Sequence, residues 1–138
     1  MKLDIFTLCD AATIEAGKMN LLGSFNTIFA REVPAVHPSC ALAIKLRFDQ
    51  IESGIKQVKI TFIDADGKEV MPSIEGTIQV NAKPQFSTST AQAVVNIQSL
   101  TLERFGEYSI HLAIDGRLEG QTPVYMSRIE DGETTGST

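Results

Sequence analysis

The sequence of 138 residues contains no tryptophan, only two histidines and only two cysteines. Two cysteines cannot build the framework of several disulfides that small secreted domains use, and free cysteines are most often buried as small apolar side chains. A single bridge between Cys9 and Cys40 is the alternative that the count leaves open. The histidines and cysteines show no spacing that suits zinc, and no glycine-rich loop suits phosphate. We therefore predict no metal site and no cofactor.

The chain also lacks a basic excess and any long apolar run. Its formal charge is −5, which disfavours nucleic acid and anionic membranes as partners, because both need basic residues that neutralise phosphates. A helix that spans a bilayer needs about 20 apolar residues in succession, whereas the apolar stretch over residues 3–9 is short and is interrupted by Asp4. We therefore expect no secretory signal, a cytoplasmic location, and neither a nucleic acid nor a membrane partner.

The residues that are present describe one globular domain. Hydrophobic residues make up 43% of the chain and charged residues 21%, which is the composition of a soluble protein with a buried core. The length is that of a single ordinary domain. Apolar periodicity stops before residue 130, so we predict one domain over residues 1–129 and a disordered tail over residues 130–138.

Apolar residues recur with a period of two in many short segments, and helical periodicity is almost absent. The clearest segment carries Tyr108, Ile110, Leu112 and Ile114, the alternation of a strand with one buried face. Turn signals separate such segments at regular intervals. The pattern predicts an all-β fold, an antiparallel two-sheet β-sandwich of the immunoglobulin type, with about eight to ten strands and at most one short helical turn.

The entrance of this strand resembles the tyrosine corner of immunoglobulin-type sandwiches. Gly106 precedes Tyr108, whose hydroxyl would bond back to the backbone upstream. Ile110 stands where antibody domains place their second cysteine, so the resemblance concerns architecture and implies no antibody-like function. At the strand's other end we predict a three-residue loop over residues 115–117 that pairs Val124 with Tyr108.

Two other local predictions concern connections. Residues 40–64 are predicted to form a hairpin that pairs Phe48 with Val58, because turn chemistry and core pattern agree there. The connection after the first strand is predicted to contain a single helical turn, with Asp10 as its N-cap and Gly17 in the left-handed position that ends it.

Cys9, Asp10 and His37 form one candidate ligand or reactive site. His37 lies between Pro34 and Pro38, which places it at a sheet edge or in a loop, and the fold could bring it to Asp10 with Cys9 nearby. A cysteine and histidine pair is chemically capable of nucleophilic catalysis. The competing interpretation makes Asp10 a cap and Cys9 a buried, inert thiol. No motif assigns a catalytic residue.

Lys45, Arg47 and Lys59 form a second candidate site. The predicted hairpin places them together on its exposed face. They would be either a solvated basic patch or a site for an anion or an acidic partner.

A family resemblance covers the chain up to about residue 129. The segments IFTLCDAAT, GKMNLLGSF, AVHP, FGEY and DGR, at residues 5–13, 17–25, 35–38, 105–108 and 115–117, resemble those of a family of small bacterial proteins of unknown function. The resemblance implies an intracellular all-β domain, and it brings no known activity, substrate or catalytic residue.

The leading hypothesis for function is a non-enzymatic binding or assembly module. Phe6 and Leu8 face away from Ile5 and Cys9, so the first strand is predicted to be buried on both sides. We expect an unknown protein partner or self-association, through an exposed sheet edge or an apolar outer face. The alternative is a small enzyme or ligand-binding protein that uses the Cys9, Asp10 and His37 site.

Overall fold

The computed structural model describes residues 1–129, and these residues form nine β-strands and one turn of 3-10 helix. The prediction of a two-sheet all-β fold with a short helical turn is confirmed. The predicted tail over residues 130–138 lies outside the described residues. No helix in the described part of the chain is long and apolar enough to cross a membrane. The strands are β1 (Lys2–Glu15), β2 (Lys18–Phe25), β3 (Thr27–Ala30), β4 (Ala35–Asp49), β5 (Gly54–Ile63), β6 (Ile74–Val80), β7 (Thr88–Leu102), β8 (Gly106–Ile114) and β9 (Arg117–Arg128), and the 3-10 turn spans Gln50–Glu52.

The strands form one sheet of four and one of five. Their orders are β2-β1-β4-β7 and β3-β9-β8-β5-β6. Neighbouring strands run antiparallel except β3 and β9, which run parallel. This edge pair is the exception to the antiparallel pairing that the sequence predicts. The reason is that β3 crosses from one sheet to the other instead of reversing in a hairpin, so its direction is set by the crossover and not by a turn.

The core lies between the two sheets, and β4 and β5 contribute to it from opposite sheets. Leu46 and Phe48 of β4, and Ile60 and Phe62 of β5, belong to one buried cluster, yet the two strands are in different sheets. The 3-10 turn carries the chain between them. The predicted hairpin over residues 40–64 is therefore wrong. Alternation shows which face of a strand is buried, and it is the same for paired strands and for strands that pack face to face.

The connection between β1 and β2 is a hairpin with no helical turn. Ala16 and Gly17 form its two-residue turn with φ values of 50° and 76°, the left-handed geometry that matches the twist of a tight hairpin. Asp10 lies within β1, and the flanking pairs Cys9 with Ser24 and Ala11 with Leu22 place it opposite Gly23. The prediction that Asp10 caps a helical turn is wrong, because the strand runs through this residue to Glu15.

The far part of this hairpin, residues 11–22, folds across the outer face of its own sheet; we call it the strap. Pairing of β1 with β4 ends at Cys9 and Ala41, and beyond that point the hairpin leaves the sheet. Its tip reaches β7, where Gln92 Nε2 donates a 2.9 Å hydrogen bond to the carbonyl oxygen of Gly17. The strap is thus held over β4 and β7 by a contact between residues 75 positions apart.

A second, smaller apolar cluster lies under the strap. Its buried members are Cys9, Ala41 and Ala43, and Ala12 and Met19 of the strap pack against them. The small side chains of β4 leave room for a second layer of backbone. The outer face of the four-stranded sheet around Ala41 and Ala43 is therefore covered by the chain itself.

The β8 and β9 hairpin carries the predicted tyrosine corner. The hydroxyl of Tyr108 donates to the carbonyl oxygen of Arg104 at 2.6 Å and accepts from the Arg104 N–H at 3.2 Å. Tyr108 pairs with Val124 as predicted. The turn differs from the prediction, because Asp115 and Gly116 form a two-residue turn with φ values of 51° and 80°. A bulge within β9 takes up the extra residue, so both the tight turn and the core register are kept.

Candidate functional site

A cleft of about 640 Å³ opens where the strap leaves the sheet. The end of β2 and the start of β3 form most of its wall, and β1 and β4 contribute one side chain each. The lining residues are Asp10, Gly23, Ser24, Phe25, Asn26, Thr27, Ile28, Phe29 and His37.

Asp10 packs against the backbone of Gly23 at the mouth of this cleft. Gly23 has φ +70°, and a Cβ built on it would lie 2.3 Å from Asp10 Oδ2 and 2.8 Å from Asp10 Cγ. Only glycine combines this backbone conformation with the space for the carboxylate. The Asp10 side chain is exposed, and no donor within residues 1–129 hydrogen-bonds to it. The carboxylate is therefore positioned by packing and remains available to a ligand.

His37 and Phe25 form the aromatic part of the cleft. Their ring centroids are 5.6 Å apart at an interplanar angle of 49°. His37 lies in the part of β4 that pairs with β7 and has no partner strand on its other side. The predicted edge position is therefore confirmed, and Pro38 is tolerated because the ladder is open there.

Cys9 is excluded from the cleft, although it adjoins Asp10 in sequence. Its side chain is fully buried beneath the strap, and Sγ donates to the carbonyl oxygen of Ala41 at 3.6 Å. Burial raises the pKa of the Cys9 thiol, and the charge of Asp10 raises it further. The structure thus brings Asp10 and His37 to one cleft, whereas Cys9, the predicted nucleophile, does not line it.

Cys40 is the second free thiol. It belongs to the main core between the sheets, and burial raises its pKa to about 11. Cys9 belongs to the cluster on the opposite face of the sheet. The two cysteines form no bridge, and each is buried among apolar groups.

The three residues of the predicted basic patch lie in different sheets. Lys59 is in β5, where its Nζ is 3.9 Å from Glu75 Oε1, while Lys45 and Arg47 are in β4. Arg47 binds the Asp4 carboxylate through two hydrogen bonds of 2.8 and 3.0 Å, and these raise its pKa. The patch does not form, because it depended on the hairpin register that the structure contradicts.

A further polar cluster at one end of the sandwich is structural. Asp64 Oδ1 accepts hydrogen bonds from the backbone N–H groups of Asp66 and Lys68, both at 2.9 Å. Its other oxygen accepts from Arg104 Nη2 at 2.9 Å. The Lys68 N–H in particular lowers the pKa of Asp64. The cluster closes the turn over residues 64–68. Within the described residues no group of three acidic, histidine or cysteine side chains could hold a metal ion.

These features define the protein as a small all-β sandwich that carries an open cleft with a carboxylate, an imidazole and aromatic walls. The chain belongs to a family of unknown function, DUF6941, whose model matches residues 4–127. The resemblance to an uncharacterised family is therefore confirmed.

The comparisons with named proteins add little. No curated protein matches the chain. Among solved structures, the alkylpurine DNA glycosylase AlkC of Pseudomonas fluorescens, bound to DNA containing an abasic site analog, is similar with a TM-score of 0.45 and 8% identity. The similarity covers 88% of this chain and 30% of that chain, so the protein spans less than a third of the enzyme's length.

Proposed function

We propose that the chain is a non-enzymatic binding module whose site is the cleft beside the strap. The observation that carries this proposal is that Asp10, His37 and Phe25 line one open cavity, while Cys9 is sealed on the other face of β1. A carboxylate and an imidazole can hydrogen-bond a ligand, and aromatic rings supply apolar contact. Without the Cys9 nucleophile, the set of groups suits recognition better than covalent chemistry.

A fragment screen by NMR tests the proposal. The full chain is labelled with ¹⁵N and titrated with cationic, anionic and neutral fragments, and amide shifts are followed. We expect shifts that cluster on residues 23–29 and on Asp10. Shifts spread evenly over both sheets, or none in the cleft with any fragment, would contradict a binding site here.

Thiol alkylation of the folded protein separates this proposal from the enzyme alternative. The alternative needs a reactive Cys9 beside Asp10 and His37. We expect Cys9 to react with iodoacetamide only after denaturation, because its thiol is fully buried and its pKa is raised. Rapid alkylation of Cys9 in the native state would favour the alternative instead.

Self-association through the edge of β2 is a second candidate, and one observation favours it. β2 is the outer strand of its sheet, and Leu22 on this strand is 70% exposed. An open edge with an exposed apolar side chain can pair with a second copy. The apolar outer face gives no such support, because the strap covers it. Light scattering at micromolar concentration, with Leu22→Glu as the comparison, is expected to show an oligomer that the variant loses; a wild-type monomer removes this candidate.

We further propose that the sandwich is of the immunoglobulin type. Support comes from the Tyr108 corner and from the strand order, in which β4 pairs with β7 while β5, β8 and β9 are neighbours in the other sheet. We also propose a bacterial source and a cytoplasmic location, as the family resemblance implies. Cell fractionation tests the location.

A further inference from the structure

We infer that the cleft binds a cationic side chain, lysine or arginine, carried by an extended segment of a partner protein. This inference rests on the proposed function and adds the chemical class of the ligand. It depends on two observations, the charge of the cleft wall and the position of the cleft at the end of an edge strand.

The wall of the cleft favours a cation over an anion or a neutral group. Its lining residues include the Asp10 carboxylate but no lysine or arginine. Phe25 and Phe29 add aromatic rings, whose faces attract an ammonium or guanidinium group. A carboxylate beside aromatic rings is the combination that such cations prefer, because the carboxylate accepts charge-assisted hydrogen bonds while the rings contact the aliphatic stem. An anionic ligand would meet the charge of Asp10 with no lysine or arginine in the lining to offset it, and His37 is the only basic side chain there.

The position of the cleft indicates an extended segment as the source of the cation. Gly23, Ser24 and Phe25 line the cleft and are also the last residues of β2, the outer strand of its sheet. A partner strand that pairs with such an edge gains main-chain hydrogen bonds, and alternate side chains enter adjacent pockets. A lysine or arginine on that strand would reach the Asp10 carboxylate.

Peptide titration of the ¹⁵N-labelled full chain tests the inference. The probe is an acetylated and amidated pentapeptide of sequence TVKVT. Two analogues replace its lysine with norleucine, which keeps the stem without the charge, or with glutamate. We expect the lysine peptide to bind about three- to tenfold more tightly than the norleucine peptide, the range for an exposed ion pair together with a cation–π contact. The glutamate peptide is expected to bind most weakly.

Two variants locate the effect. Asp10→Asn is isosteric and is expected to remove most of the preference for the lysine peptide over the norleucine peptide, leaving only the part that the aromatic rings contribute. Glu15→Gln removes one negative charge from the same hairpin outside the cleft and is expected to change affinity by less than about twofold. Phe25→Leu keeps an apolar wall without the ring, and we expect it to narrow the preference for lysine over norleucine.

Three results would overturn the inference. They are equal binding of the lysine and norleucine peptides, tighter binding of the glutamate peptide, and an Asp10→Asn variant that is properly folded by its amide spectrum yet keeps the full lysine preference. Free n-butylammonium is titrated as a further ligand. If it binds as tightly as the lysine peptide, strand addition contributes nothing and the partner segment is excluded. Fragment shifts in the cleft would stand in each of these cases, so failure of the cation inference is distinct from failure of the proposed binding module.

Discussion

Gly23 is expected to tolerate no side chain. The loss of unfolding free energy in Gly23→Ala measures how much the bend of the hairpin depends on this glycine. Two costs add at this position. A non-glycine residue at φ +70° costs about 1 to 2 kcal/mol. The new Cβ would also overlap Asp10 Oδ2 and Cγ, at 2.3 and 2.8 Å, and turning this exposed carboxylate away from its preferred rotamer costs about 0.5 to 1.5 kcal/mol. We therefore expect a loss of about 1.5 to 3.5 kcal/mol in the free energy of unfolding.

Two other glycines separate these costs. Gly17 has φ +76° and no atom within 4 Å of a built Cβ, so Gly17→Ala reports backbone strain alone. Gly76 has neither a positive φ nor a neighbour within 4 Å, so Gly76→Ala is expected to be neutral or slightly stabilising. Urea unfolding followed by circular dichroism suits the full chain, which has no tryptophan. The expected order of stability is Gly76→Ala, then Gly17→Ala, then Gly23→Ala.

The contact with Asp10 is isolated by a double-mutant cycle. In an Asp10→Ala background, the loss caused by Gly23→Ala is expected to shrink by about 0.5 to 1.5 kcal/mol. A Gly23→Ala variant no less stable than Gly17→Ala, or an equal loss in both backgrounds, would refute the packing of the carboxylate on Gly23.

Three further predictions concern the rest of the fold. Tyr108→Phe removes both hydrogen bonds to Arg104 and is expected to lower the free energy of unfolding, measured in urea, by about 1 to 2 kcal/mol. The control Tyr125→Phe, on the exposed outer face, should lower it by less than half as much. Equal losses for the two variants would contradict the tyrosine corner. Burial raises the pKa of Cys40 from 9.0 to about 11, so above pH 9 the unfolded chain loses this proton first, and stability falls by up to about 1.4 kcal/mol per pH unit. Unfolding at pH 8 and pH 10 should show a smaller fall in Cys40→Ala, and an identical fall would exclude this thiol as the cause. The lowered pKa of Asp64 contributes stability above its unfolded value of 3.8 that is lost as the pH falls through the folded value. Asp64→Asn should therefore reduce the fall in the free energy of unfolding at acid pH. An unchanged fall would count against the hydrogen bonds that Asp64 accepts in its turn.

Features that depend on neighbouring residues were predictable from the sequence. The alternation from Tyr108 to Ile114 placed a strand correctly, and the glycine before Tyr108 pointed to a corner whose hydrogen bonds the structure contains. Both depend on strand pleat and turn chemistry, which short stretches of sequence specify.

Features that depend on which strands meet were not predictable in the same way. The strands of Phe48 and Ile60 show the same apolar alternation that two paired strands would show. They lie in opposite sheets, and both residues belong to the core between them. The strap was also missed, because the small residues Ala41 and Ala43 show room for a covering layer without showing what fills it. Two-sided burial of the first strand was correct, with Leu8 and Cys9 both buried, but the second cover is the protein's own hairpin.

Two of the three residues of the predicted site lie in the cleft. Asp10 and His37 line one cleft, whereas Cys9 does not. The sequence held the signal for this separation, since successive residues of a strand point to opposite faces. It was obscured because Asp10 was assigned to a helical turn instead of to the strand.

The bend at Asp10 and Gly23, where the strap begins, lies between the cleft and the small apolar cluster that contains Cys9. On one side, Asp10 and Gly23 line the cleft. On the other side, Met19 of the strap packs against the cluster that contains Cys9. Lifting the hairpin would break the Gln92 contact with Gly17, expose a thiol and reshape the cleft in one movement. The burial of Cys9 and the shape of the cleft therefore depend on the same placement of the hairpin.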